Sequence, residues 1–128
     1  MARIRSIKPE VRKSLTVAAW PREVRLAWVY LWGYLDDHGR GVDDMRLVLA
    51  ECFPLDRDVN EKKMERWIAL MAEKPEDGDD DGKPPLCRYS VGGRNYLHAV
   101  KWTTHQRVSH PQDSRIPTCP IHESDGGS

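Results

Sequence analysis

Net charge is absent from this sequence: Lys and Arg number 20, and so do Asp and Glu, among 128 residues. The overall balance therefore points to neither a nucleic-acid nor a membrane partner. Long apolar runs are missing as well. The longest, residues 26–35 with Gly33 inside it, falls well short of the roughly 18–20 residues of a membrane-spanning helix. Residues 1–5 carry two arginines and no apolar stretch, so no secretory signal is expected. Cysteine is scarce, and its count of three is odd with no framework spacing. Free thiols in a reducing cytosol are the expectation. None of the patterns G-x-S-x-G, H-E-x-x-H, G-x-x-x-x-G-K-[ST] or G-x-G-x-x-G occurs, so no enzyme activity and no cofactor are expected.

What is present suits one small globular domain: 39% hydrophobic residues, five Trp and four Tyr. The zero charge also hides a segregation. Residues 1–25 hold seven basic and two acidic side chains, and residues 26–35 hold none. Residues 36–81 hold seven basic against fifteen acidic, and residues 82–128 six against three. Both ends are basic and the middle is acidic. Over a Debye length of about 8–10 Å, that local pattern is what an approaching polyanion feels. A solvated surface with a basic arm accounts for it equally well.

Periodicity divides the chain into three parts. Residues 1–20 read as a basic arm with an ordered piece around Ser14–Trp20. Residues 21–102 read as the folded domain. Residues 103–128 read as a tail, extended along the surface near 105–117 and disordered near 123–128. Within the domain Pro21 suits a first helical turn. Over Arg22–Asp37, Val24, Ala27, Trp28, Leu31, Tyr34 and Leu35 form one apolar stripe, with Leu26, Val29 and Tyr30 on a second face. A helix apolar on two faces belongs to the core or to an interface, and a homodimer through it is one use of the second face. Gly39 stops it. Arg40–Val42 is short and extended. Asp43 or Asp44 caps a second helix carrying Met45, Val48, Leu49, Cys52 and Phe53. Asn60 caps a third, with Met64, Trp67, Ile68 and Met71 buried, and Pro75 ends it. After an acidic, Gly- and Pro-rich loop, Leu86–Val91 and Arg94–Trp102 flank Gly92-Gly93, a hairpin signal. That register puts Tyr89 opposite Tyr96 and Cys87 opposite His98.

Helix, short strand, helix, helix, hairpin is the order of a winged helix-turn-helix: mainly α, with a small β wing. In such domains the third helix enters a major groove and the wing lies on the backbone.

Several blocks also resemble a family of small proteins from actinobacterial phages and prophages, described as helix-turn-helix DNA-binding or replication-initiation proteins. They are the opening Met1–Glu10, Arg25–Arg40, Phe53-Pro-Leu-Asp56, Trp102–Arg107 and Ser114–Pro117. The likeness covers about residues 1–117. It implies a winged-helix domain on phage DNA, in replication initiation or regulation. The acidic insert Glu76–Asp81 departs from the tight turn of many relatives, and longer relatives continue past the Pro-rich tail.

The candidate double-stranded DNA contacts follow from charge and placement. Lys62, Lys63 and Arg66 lie on the third helix, where they can reach guanine edges or phosphate. Arg88, Arg94 and Lys101 lie on the hairpin, with Arg107 just after it. Arg3, Arg5 and Lys8 form a flexible arm able to track phosphate or a minor groove. The competing expectation is a small phage adaptor that grips a host replication, transcription or division protein. No metal site is expected, although two segments have ligand types. His105, His110, Cys119 and His122 contain a C-x2-H step, but the remaining spacings fit no standard zinc finger. Asp77–Gly82 begins like a calcium loop, but Arg88 stands where the bidentate Glu belongs. Cys87 beside His98 resembles a thiol–imidazole dyad without a third group, and cross-strand packing explains it equally well. Trp28, Trp32 and Trp67 are expected in the core, Trp20 is expected to dock the arm, and Trp102 to end a strand and pin the tail.

Overall fold

In a computed structural model the described residues are 4–75 and 83–123. A 3-10 turn at Pro9–Lys13 leads into α1 (Leu15–Ala18) and α2 (Arg22–Tyr34). Then come β1 (Arg40–Val42), α3 (Met45–Cys52), α4 (Glu61–Met71), β2 (Leu86–Val91), β3 (Arg94–Ala99) and α5 (Trp102–His105). Among the described residues the architecture is mixed α/β: five helices and an antiparallel three-stranded sheet in the order β1-β3-β2. No helix among the described residues is long and apolar enough to cross a membrane.

Local chemistry sets the boundaries. Asp44 caps α3 by accepting from Arg46 N, and Asn60 caps α4 by accepting from Lys63 N at 2.8 Å. The helix read as Arg22–Asp37 stops earlier, because Leu35 is already extended (ψ 153°). The cause is Asp36, whose Oδ1 accepts from both His38 N and Arg40 N. That side-chain turn offers the backbone an alternative to another helical turn. Gly39 completes the reversal at φ +76°, and a Cβ there would lie 2.6 Å from Trp102 Cγ. Only glycine meets both demands.

The apolar stripes converge on one core. Val24, Ala27, Trp28, Leu31 and Trp32 of α2 meet Val48 of α3 and Met64, Ile68 and Met71 of α4. Leu86, Leu97 and Ala99 close it from the sheet. Trp20, Trp28, Trp32, Trp67 and Trp102 are all buried. The hairpin register is the expected one, with Tyr89 opposite Tyr96 and Cys87 opposite His98. β3 ends at Ala99, so Trp102 opens α5 instead of ending a strand. Its indole Nε1 donates to Asp37 O at 2.8 Å, which pins the chain after the hairpin to the end of α2.

Side-chain alternation gives the sheet two working faces. Leu86, Leu97 and Ala99 face the helical core, whereas Cys87, Tyr89 and Tyr96 belong to a second apolar cluster with Cys119. That second cluster exists because the C-terminal segment returns across the sheet. Tyr89 Oη donates to Pro117 O at 2.7 Å, and Arg40 donates from Nη1 to Ile116 O and from Nη2 to Glu123 Oε2. Residues 106–117 lack regular structure, and Gln106 and Cys119 are buried. The end of the described tail is a cover over the sheet.

Candidate nucleic-acid interface and a thiol–imidazole cluster

The ten basic residues singled out from the sequence do not form one surface. Arg3 lies outside the described residues. Arg5, expected on a flexible arm, is corrected to a structural residue. Its Nε donates to Trp32 O, its Nη2 to Leu35 O and its Nη1 to Asp37 Oδ1. The Arg5 side chain is 8% exposed and that of Asp37 3%. The guanidinium also lies 5.1 Å from the centre of the Trp102 ring. A planar fork fits the carbonyls that the end of α2 leaves open. Sequence composition shows a basic arm and cannot show that one of its charges has a buried partner. The arm is further tied by reciprocal bonds between the Ser6 backbone and the Gln106 amide. Lys8 stays exposed while donating to Thr104 O.

Arg88 is redirected too. It faces the core side of the hairpin, where it bridges Asp43, just before α3, and Glu65 on α4. Nε and Nη2 hold Asp43 at 2.7 and 2.9 Å, and Nη1 and Nη2 hold Glu65 at 2.5 and 2.8 Å. The hydrogen bonds from Arg88 hold the Glu65 carboxyl below its usual range. Arg88 therefore clamps the hairpin to α4 and is not a free cation for phosphate.

Lys62 and Arg66 remain exposed on α4, and Lys63 beside them is half-buried. They share that surface with Glu61 and Glu65. Arg94 is exposed next to the Gly92-Gly93 turn, whose glycines both have positive φ. By register Arg94 stands on the sheet face opposite Arg88. Lys101 is half-buried, and Arg107 is exposed beyond α5. Lys62 and Arg66 thus share one exposed face of α4, and Arg94 stands at the hairpin tip on the other face of the sheet. On α2, Leu26 and Tyr30 remain 46% exposed on one strip, which is the surface left for the homodimer reading.

The potential ligand residues of the tail are also rearranged. His105 stacks on Trp32 at 5.0 Å between ring centres and meets Trp28 edge-on. Burial, reinforced by Lys101 and Lys8, pushes its pKa down to about 4. His110 is exposed, with φ +54°. The tail histidines and cysteine therefore do not converge as one group. Cys119 and His122 instead meet Cys87. Cys119 Sγ lies 3.9 Å from Cys87 Sγ and 3.9 Å from His122 Nδ1, and the three donor atoms are all within 4.8 Å of one another. No sequence spacing joined Cys87 to the C-x2-H step, because only the folding-back of the tail does so.

His98 lies beside this cluster, opposite Cys87. Burial lowers its pKa, against the opposing pull of Glu123. Burial first, then Cys119, pushes the Cys87 thiol up to about 12. Burial thus disfavours the charged form of both groups, the opposite of what a thiolate–imidazolium nucleophile uses. The calcium-like segment Asp77–Gly82 and the acidic insert fall outside the described residues. Comparison of the chain with known protein families, with curated proteins and with solved structures finds no match.

Proposed function

We propose that this chain is a winged-helix protein that binds double-stranded DNA in a sequence-specific manner. In this reading α4 enters the major groove and the β2–β3 hairpin lies along the backbone. The observation that carries the reading is an arrangement, not a charge. Consecutive helices α3 and α4 precede a hairpin whose second strand pairs with the strand before α3, and Arg88 ties that hairpin to α4. A helix held this way presents Lys62 and Arg66 outward on a rigid support, which base reading demands. The resemblance of residues 1–117 to phage and prophage helix-turn-helix proteins supports the same role, in replication initiation or in regulation of phage DNA. The cytoplasm of a bacterial host is the corresponding location.

The two parts of the surface have separable roles. Arg66→Ala or Lys62→Ala should cost about 1–3 kcal/mol on the preferred duplex and relax discrimination at one position. Arg94→Ala should weaken every duplex alike and reduce the salt slope by about 1. Fluorescence anisotropy of each variant on preferred and scrambled duplexes distinguishes the two. Equal loss on all duplexes from Arg66→Ala would remove the base-reading role from α4. The adaptor reading, a grip on a host or phage replication protein, draws on the Leu26–Tyr30 strip. It gains ground if wild-type protein binds all duplexes equally weakly.

A further inference from the structure

We propose that Cys87, Cys119 and His122 form a binding site for a thiophilic, tetrahedral divalent cation, zinc in the cell, which staples the C-terminal segment to the outer face of the sheet. The site is independent of DNA binding.

Geometry comes first. Zinc–sulfur bonds of ~2.3 Å and zinc–nitrogen bonds of ~2.0 Å at tetrahedral angles place neighbouring donors about 3.5–3.8 Å apart. Two of the three donor separations here are 3.9 Å, and the third is within 4.8 Å. A cation enters with shifts of a few tenths of an ångström at two edges and a modest rotation at the third. The local fold already holds the ligands in this arrangement. Glu123 N donates to Cys119 O at 3.0 Å, closing one helical turn, which sets Cys119 and His122 three residues apart on one side. Cys119 N donates to Glu123 Oε1, and Arg40 holds the same carboxylate at 2.8 and 2.6 Å. Cys87 is fixed by its place in β2. The supports are therefore a strand, a closed turn and an ion pair, as a preorganised site requires.

The donor set specifies the ion. Two sulfurs and one imidazole favour zinc over the hard cations, which take oxygen. Bound metal would also deprotonate both thiols outright. A second observation comes from His98. It is 4% exposed, and its Nδ1 has no hydrogen-bond partner. A buried nitrogen without a partner is uncommon, and the indole nitrogens of Trp28 and Trp32 share that state. His98 and His122 line one cleft of about 330 Å³ together with Glu123. Cys87, Cys119 and His122 supply three ligands, and the fourth position falls to a water or other exogenous ligand, while His98 Nε2 lies 3.7 Å from Glu123 Oε1 beside the site.

The alternative chemistry for these atoms is a Cys87–Cys119 disulfide. It would need the sulfurs to close from 3.9 Å to about 2.05 Å, together with an oxidant.

The test uses the full chain, expressed without an affinity tag in zinc-containing medium and purified with a phosphine reductant. Elemental analysis should find one zinc per chain. Cobalt substitution should give thiolate-to-metal charge-transfer bands together with the intense visible bands of tetrahedral coordination. Cys119→Ser and His122→Ala should lose the metal, whereas Cys52→Ala and His110→Ala should keep it. If Cys119→Ser does not fold, His122→Ala and the wild-type cobalt spectrum decide. Background zinc in the wild type overturns the proposal. So does a Cys87–Cys119 disulfide in protein whose free thiols are alkylated at lysis, before any reductant is added, or metal lost from His110→Ala but kept by His122→Ala.

Discussion

Arg5 reaches three acceptors at the C-terminal end of α2 and contributes a charge whose counter-ion, Asp37, is itself buried. Removing the cation of such a pair costs about 3–5 kcal/mol, although Asp37 keeps its hydrogen bond from Gln112 N. Arg5→Ala should therefore lower unfolding stability by that amount in urea titration while leaving the salt slope of DNA binding unchanged. A fall in that slope with stability intact would return Arg5 to the DNA surface. His105 carries a pH signature of its own. Its pKa of about 4 lies below the unfolded value near 6.5, so the unfolded chain takes up the proton first. Stability from this group is complete above about pH 6.5 and is lost as pH falls toward about 4, to a limit on the order of 3 kcal/mol. His105→Phe keeps a flat ring on Trp32 and removes the titration. Its denaturation midpoint should fall less than the wild type's between pH 7 and pH 4.5.

The elements are held by signals that were legible in sequence and by contacts that were not. Caps, apolar stripes and the Gly-Gly turn are local chemistry, so α3, α4 and the hairpin register could be read directly. Asn60→Ala should cost about 1 kcal/mol through the open Lys63 amide, and Met64→Ala about 2–5 kcal/mol in the core. Gly39→Ala should cost at least about 1–3 kcal/mol from the left-handed backbone alone, before the collision with Trp102. Equilibrium unfolding of the three variants checks that order. What the sequence could not show is pairing at long range. Arg5 and Arg88 read as free cations because their partners, Asp37, Asp43 and Glu65, are assigned only once α2, α4 and the sheet are assembled. Cys87 read as the partner of His98 across the hairpin, which it is. Its meeting with Cys119 depends on the return of the tail, and no periodicity encodes that.

At the scale of the molecule the sheet divides the work. One face completes the helical core, and the other is covered by the C-terminal segment through Tyr89, Arg40 and the Cys87–Cys119–His122 cluster. In the proposed function the hairpin tip and the exposed face of α4 project from this braced body, and Arg88 couples the two. Basic residues at the chain ends serve partly as internal ties, so charge segregation overstates the surface available to DNA. The surface on which the proposed function relies is small: Lys62, Arg66 and Arg94, with Lys63 at its margin. Such a surface discriminates only if α4 reads bases, since a few phosphate contacts alone give uniform binding that vanishes with salt. The decisive measurement is fluorescence anisotropy of the full chain against duplexes tiled from its own genomic neighbourhood, at two salt concentrations. The account predicts one tile bound at least about 10³-fold tighter than the rest, with that preference surviving the higher salt. Uniform affinities of about 10⁻⁴–10⁻⁶ M that disappear with salt would contradict it.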